Sequence, residues 1–86
     1  MASYSVGIKR SARKELEDVA NRTDRRRIVA RIRQLSDDPR PVGSQKLSGQ
    51  ELYRVRQGDY RIVYTVDDDS SKVVIVKIGH RKDVYR

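Results

Sequence analysis

Eighty-six residues carrying 20 Lys and Arg against 12 Asp and Glu, with a formal charge of +8 and a pI near 10.2, leave room for one small domain (residues 1–86) and point to polyanions or acidic protein segments as partners. The absence of cysteine excludes a disulfide framework, an iron–sulfur cluster and a thiol nucleophile, and a single histidine cannot build a His-rich metal site. No apolar run approaches the roughly 18 residues of a membrane span and residues 1–11 lack the apolar stretch of a signal peptide, so a cytoplasmic protein with no metal and no cofactor is expected.

In chain order, Tyr4, Val6 and Ile8 alternate with Ser3, Ser5 and Gly7, the period of a strand with one buried face. Ser11 is placed to cap a helix whose apolar positions Ala12, Leu16, Val19 and Ala20 follow the 3.6-residue period. Asn21-Arg22 interrupts it, and Thr23 with Asp24 restarts a second helix as cap and first-turn acid. That helix sets Ile28, Val29, Ile32 and Leu35 along one face and Arg25, Arg26, Arg27, Arg31 and Arg33 along the other, and Pro39 and Pro41 end the helical stretch. Residues 52–57, 60–67 and 72–79 are β-branched and aromatic runs separated by short turns, the pattern of an antiparallel meander. The fold class is therefore α+β with the order βααβββ, a mainly antiparallel sheet packed on a helical hairpin. Its predicted core is Val6, Ile8, Leu16, Val19, Ile28, Ile32, Leu35, Val55, Ile62, Tyr64, Val74 and Val76, with Tyr53, Tyr60 and Tyr64 as packing rings.

The segment from Leu52 to Tyr64 fixes its own register. A two-residue turn at Gly58-Asp59 pairs Val55 with Ile62 and Arg56 with Arg61, so Tyr53, Val55, Ile62 and Tyr64 share one face and Arg54, Arg56 and Arg61 the other. A one-residue slip would bury guanidiniums among tyrosine and isoleucine at a cost of several kcal/mol. The favoured register still sets two arginines opposite one another, unfavourable by a fraction of a kcal/mol, and a face with no task would do better with Thr or Glu. The triad reads as a preformed anion cradle, because a guanidinium stays protonated and its planar fork binds phosphate through two hydrogen bonds. The last strand returns toward the same end of this face, and Arg81 and Tyr85 follow it; guanidiniums beside a phenol ring suit a ribonucleotide.

The stretch from Leu47 to Tyr64, the Pro39-Arg40-Pro41 break before it and the ending Gly79-His80-Arg81 with Asp83-Val84-Tyr85 resemble the RelE/ParE toxin superfamily over nearly the whole chain, with the RelE branch the nearer. The resemblance implies the toxin of a type II toxin–antitoxin pair, a monomer when free and a hetero-oligomer with a RelB-like antitoxin whose acidic or amphipathic segment wraps it. It implies entry into the ribosomal A site and metal-free cleavage of the mRNA there, the substrate's own 2′-hydroxyl attacking the adjacent phosphate. Arg54 and Arg56 match the basic residues of the family's second strand, Arg61 its phosphate-stabilising arginine, Arg81 the residue that protonates or neutralises the leaving group, and Tyr85 the tyrosine that orients or activates the 2′-hydroxyl. His80 is a peripheral candidate.

The base is the weak point of this set, because an arginine scarcely deprotonates anything at neutral pH. Tyr85 would serve if the surrounding guanidiniums lower its pKa; His80 is chemically the better base. Much of the rate is expected from the ribosome holding the mRNA in line, which makes free RNA a poor substrate. Arg25, Arg26, Arg27, Arg31 and Lys46 are candidate RNA contacts outside the cradle, with a solvated helix face as the plain alternative. Two other functions compete: a ParE-like poison of DNA gyrase, which needs no arginine cluster, and a non-catalytic basic RNA-binding module.

Overall fold

A computed structural model of the chain describes residues 3–47 and 51–80. The elements are β1 (Ser5–Ile8), α1 (Arg10–Glu17), α2 (Arg22–Gln34), β2 (Gln45–Lys46), β3 (Leu52–Gln57), β4 (Tyr60–Asp67) and β5 (Lys72–His80). The strands form one sheet in the order β1-β5-β4-β3-β2, antiparallel except for the β1–β5 pair. The expected order βααβββ holds, with β2 as an unforeseen two-residue strand at the edge.

Each helix is capped two residues before the expected position. The capping position of α1 is Lys9, whose backbone is extended and whose N–H donates to the Ile75 carbonyl of β5 at 2.8 Å; tertiary contact starts this helix, and Ser11 lies within its first turn. The cap of α2 is Asn21, not Thr23: its Oδ1 accepts from the Asp24 N–H at 3.0 Å, with Asp24 in the first turn and Arg31 and Arg33 in the last, both favourable to the helix dipole.

Both helices lie on one face of the sheet. Ala12 and Val19 from the first helical stretch, and Ile28 and Leu35 from the second, meet Val55, Ile62, Tyr64, Val73, Ile75 and Ile78 of the sheet in one core. Burying each larger aliphatic side chain stabilises the fold by about 1.5–3 kcal/mol. The phase of β5 corrects the sequence reading. Val73 and Ile75 are fully buried, while Val74 and Val76, expected in the core, are half-buried. A β-bulge opposite Val63 and Tyr64 causes this: Tyr64 pairs with Ile75 but Val63 with Lys77, so one extra residue, Val76, is accommodated and the core phase resumes at Ile78.

Two ties hold the margins. β1 covers β5 only as far as Ile75, and beyond it Glu15 of α1 takes over the edge, one carboxylate oxygen accepting from the Ile78 N–H at 3.0 Å and the other meeting Lys77 Nζ at 3.0 Å. At the other end of the sheet, Arg40 donates to both carboxylate oxygens of Asp68 (3.1 and 2.9 Å) and to the Tyr53 hydroxyl (3.1 Å), while the Tyr4 hydroxyl donates to Asp68 at 2.7 Å. The Tyr64 hydroxyl donates to the Pro39 carbonyl at 2.7 Å. The loop between α2 and β2 is thereby fastened to the sheet at residues 39 and 40.

Candidate anion cleft on the open face of the sheet

The β3–β4 hairpin turns at Gly58-Asp59, and Gly58 has φ +61°, the positive value that a II′ turn requires at its first central residue. This turn fixes the expected register, with Val55 opposite Ile62, Arg56 opposite Arg61 and Arg54 opposite Val63. Since Val55 and Ile62 point into the core, Arg54, Arg56 and Arg61 point to the face that the helices leave open. In the adjoining ladder Gln45 is the partner of Arg54, so its side chain joins the same face. On the far side Arg61 is opposite Gly79, which brings no side chain.

Arg54, Arg56 and Arg61, with Gly43 and Gln45, line a cavity of about 190 Å³. That is the space of roughly six waters, enough for a phosphate group and its hydration. Arg54 Nη2 donates to Gln45 Oε1, and Arg56 Nε reaches the Gly58 carbonyl at 3.4 Å. Arg54 and Arg61 are half-buried and Arg56 is exposed, so the cleft offers cationic forks in a partly desolvated wall. Such an arrangement is chemically suited to an anion and to negative charge that develops on one.

The other candidate residues divide. Arg81 and Tyr85 lie outside the described residues, although β5 carries the chain to a point beside Arg61 and Tyr60. His80 is not on the arginine face. It pairs with Tyr60, meets that ring edge-on at 5.6 Å, and lines a separate cavity of about 290 Å³ with Glu15, Asp18 and Lys77 on the helix side. The alternation of β5 past its bulge sends His80 the same way as Ile78, so it does not join the three arginines. Lys46 is paired with Tyr53, also on the helix side, and stands 3.8 Å from Glu51.

The arginines of α2 serve different ends. Arg25 Nη1 donates to the Val19 carbonyl at 2.7 Å and ties α2 to the end of α1; Arg31 Nη1 meets Gln34 at 3.3 Å; Arg27 is exposed. Arg25 and Arg26, with Arg13 and Arg33, rim a groove of about 830 Å³ floored by Leu16, Val29 and Ala30 between the two helices. A second groove of about 540 Å³ shares Leu16, Val29 and Arg33 and runs to Val6 and Ile8 on the outer edge of β1. Sequence reasoning missed these grooves and the parts that Gly43, Gln45, Arg40 and Asp68 play. Gly43 with φ +94° marks a turn, but no spacing in the sequence brings residues 40 and 68 together.

No helix among the described residues is long and apolar enough to cross a membrane. Residues 6–85 match the family model described as the ParE toxin of the type II toxin–antitoxin system. Over 86 aligned positions the chain is 33% identical to Toxin RelG of Mycobacterium tuberculosis, covering 96% of this chain and 97% of that protein, and it is 30% identical to Toxin RelE of the same organism, covering 96% and 87%. Among solved structures, the archaeal RelE–RelB complex of Pyrococcus horikoshii superposes with a TM-score of 0.83 at 30% identity, covering 95% of this chain and 99% of that one. The RelBE2 toxin–antitoxin complex of M. tuberculosis gives 0.80 at 30% identity, covering 96% and 97%.

Proposed function

The chain belongs to the ParE-toxin family of type II toxin–antitoxin systems, within the RelE/ParE superfamily, and from that premise we propose that it is a ribosome-dependent mRNA endoribonuclease. The observation that supports this reading best is the convergence of Arg54, Arg56 and Arg61 on one concave surface. In the proposed reaction the 2′-hydroxyl of the RNA attacks the adjacent phosphorus and the 5′-oxygen leaves, giving a 2′,3′-cyclic phosphate. The three guanidiniums stabilise the charge that grows on the phosphoryl oxygens. With His80 on the far side of the sheet, Tyr85 is the group assigned to the 2′-hydroxyl proton and Arg81 the one assigned to the leaving oxygen. The ribosome supplies the in-line geometry of the substrate.

The partner in this proposal is an antitoxin, as in the RelE–RelB complexes that share the fold. An amphipathic acidic segment fits the two joined grooves, whose floors are apolar and whose lining carries Arg13, Arg25, Arg26 and Arg33 against Glu17 and Asp37, and β1 beside them is an edge strand to which a further strand could add.

A gyrase-poison reading has the name of the matched family in its favour. Primer extension on mRNA in a translation reaction decides between them. Wild type is expected to give discrete cleavage products and Arg61→Ala almost none, with loss of toxicity in cells. An Arg61→Ala protein that remains fully toxic and cuts nothing would overturn the nuclease reading and leave toxicity without cleavage, as the gyrase alternative requires.

A further inference from the structure

Gln45 is the least conspicuous member of the cleft. It sits in a strand of two residues at the sheet edge, directly opposite Arg54, with both side chains on the open face. A guanidinium has donors and no acceptor, so the carboxamide must turn its oxygen to Arg54, as it does. So short a strand needs fixing from outside its own ladder. Leu47 N–H donates to the Leu52 carbonyl at 2.8 Å on one side. On the other, Ser44 N–H closes a turn on the Pro41 carbonyl at 2.9 Å, and the same loop is fastened through Pro39 to Tyr64 and through Arg40 to Asp68.

We propose, on the basis of the nuclease reading above, that Gln45 is a positioning residue which holds the Arg54 guanidinium in the wall of the cleft before substrate arrives. Two features of its chemistry suit it to this. Clamping a long side chain in advance removes the ordering cost from the transition state. A neutral carbonyl does so without cancelling the guanidinium's charge, whereas a carboxylate in the same place would make an ion pair and take one unit of positive charge out of the cleft.

The test is a double-mutant cycle on the full-length chain, read in ribosome-dependent cleavage and in affinity for an RNA oligonucleotide over a series of salt concentrations. Gln45→Met, of similar length with no acceptor oxygen, is expected to lower kcat by about tenfold and to leave the salt slope of RNA binding unchanged. Gln45→Glu is expected to lower RNA affinity and to reduce that slope by about one, as Arg54→Ala does. In the Arg54→Ala background, Gln45→Met is expected to cost nothing more. Equal losses from Gln45→Met with and without Arg54 would show that Gln45 touches RNA itself, and a Gln45→Met protein with wild-type cleavage and affinity would remove it from the cleft's machinery; either result overturns the proposal. Arg61→Ala separates the two levels. If it cuts as well as wild type, or wild type does not cut, the nuclease reading fails and the affinity cycle alone judges Gln45. If only Arg61→Ala loses cleavage, the positioning role fails by itself.

Discussion

Arg61 stands opposite Arg56 on the open face of the sheet, an arrangement that costs the fold a few tenths of a kcal/mol for like charges in direct register. On the nuclease reading, replacing it by Ala relieves that repulsion but lowers kcat by about 10²–10³, because a guanidinium facing the phosphate is lost. Differential scanning calorimetry beside the cleavage assay separates the two effects. Tyr64 behaves in the opposite way, as a residue of structure alone. Fully buried, it stacks on Tyr53 at 5.9 Å and gives its hydroxyl proton to the Pro39 carbonyl. Burial pushes its pKa up to about 12, so the neutral phenol is the form that folds. A group raised in the folded state contributes stability that is complete below its unfolded pKa near 10 and is lost as pH climbs toward 12, about 2–3 kcal/mol in all. Tyr64→Phe should cost about 1–3 kcal/mol at pH 7, because the Pro39 carbonyl loses its donor, and the variant should lack this part of the alkaline loss in urea titrations between pH 9 and 12.

At the level of elements, the β3–β4 hairpin was readable because period-two alternation, a two-residue turn at Gly58-Asp59 and the cost of burying arginine all select one register. The phase of β5 was not, because Val73, Val74, Ile75 and Val76 are apolar on both faces and either alternation satisfies the pattern. The bulge at Val76 decides it, and nothing local in the sequence announces a bulge. Ile75→Ala should accordingly destabilise by about 2–5 kcal/mol and Val76→Ala by less than about 1.5, the reverse of what the plain alternation predicts; denaturant midpoints at constant m-value check this. The staple at the other end of the sheet was equally hidden, since it joins Arg40 to a carboxylate 28 residues away. Hydrogen bonds from Arg40 and then from Tyr4 hold the Asp68 carboxyl below its ordinary value. A depressed carboxyl contributes stability above its unfolded pKa near 4, lost as pH falls through the lower folded value. Asp68→Asn should thus melt lower than wild type at pH 7, with the gap closing as both are brought to pH 2.

Across the whole molecule, the sheet separates two surfaces of different chemistry. The arginine cleft lies on the open face, and the apolar grooves with their basic rim lie on the helix side and along β1. A chain of 86 residues buries only about 60–65% of its unfolded surface, so covering Leu16, Val29 and Ile32 with a partner adds stability that the isolated domain lacks. Nothing in this geometry requires a partner seated on the helix side, as proposed for the antitoxin, to touch the cleft, and the two surfaces should be separable by mutation. Val29 is half-buried at the junction of both grooves, so a carboxylate there can turn to solvent in the free protein but not beneath an apolar, acidic segment. Val29→Glu is expected to retain mRNA cleavage within about twofold and to weaken antitoxin binding by about 10²-fold or more, while Arg61→Ala should bind antitoxin with wild-type affinity and lose cleavage by about 10²–10³-fold. Titration calorimetry with a RelB-like antitoxin, set against primer extension for the same two variants, measures both sides of that comparison. Loss of cleavage in a folded Val29→Glu protein would mean that the helix side and the open face act as one surface.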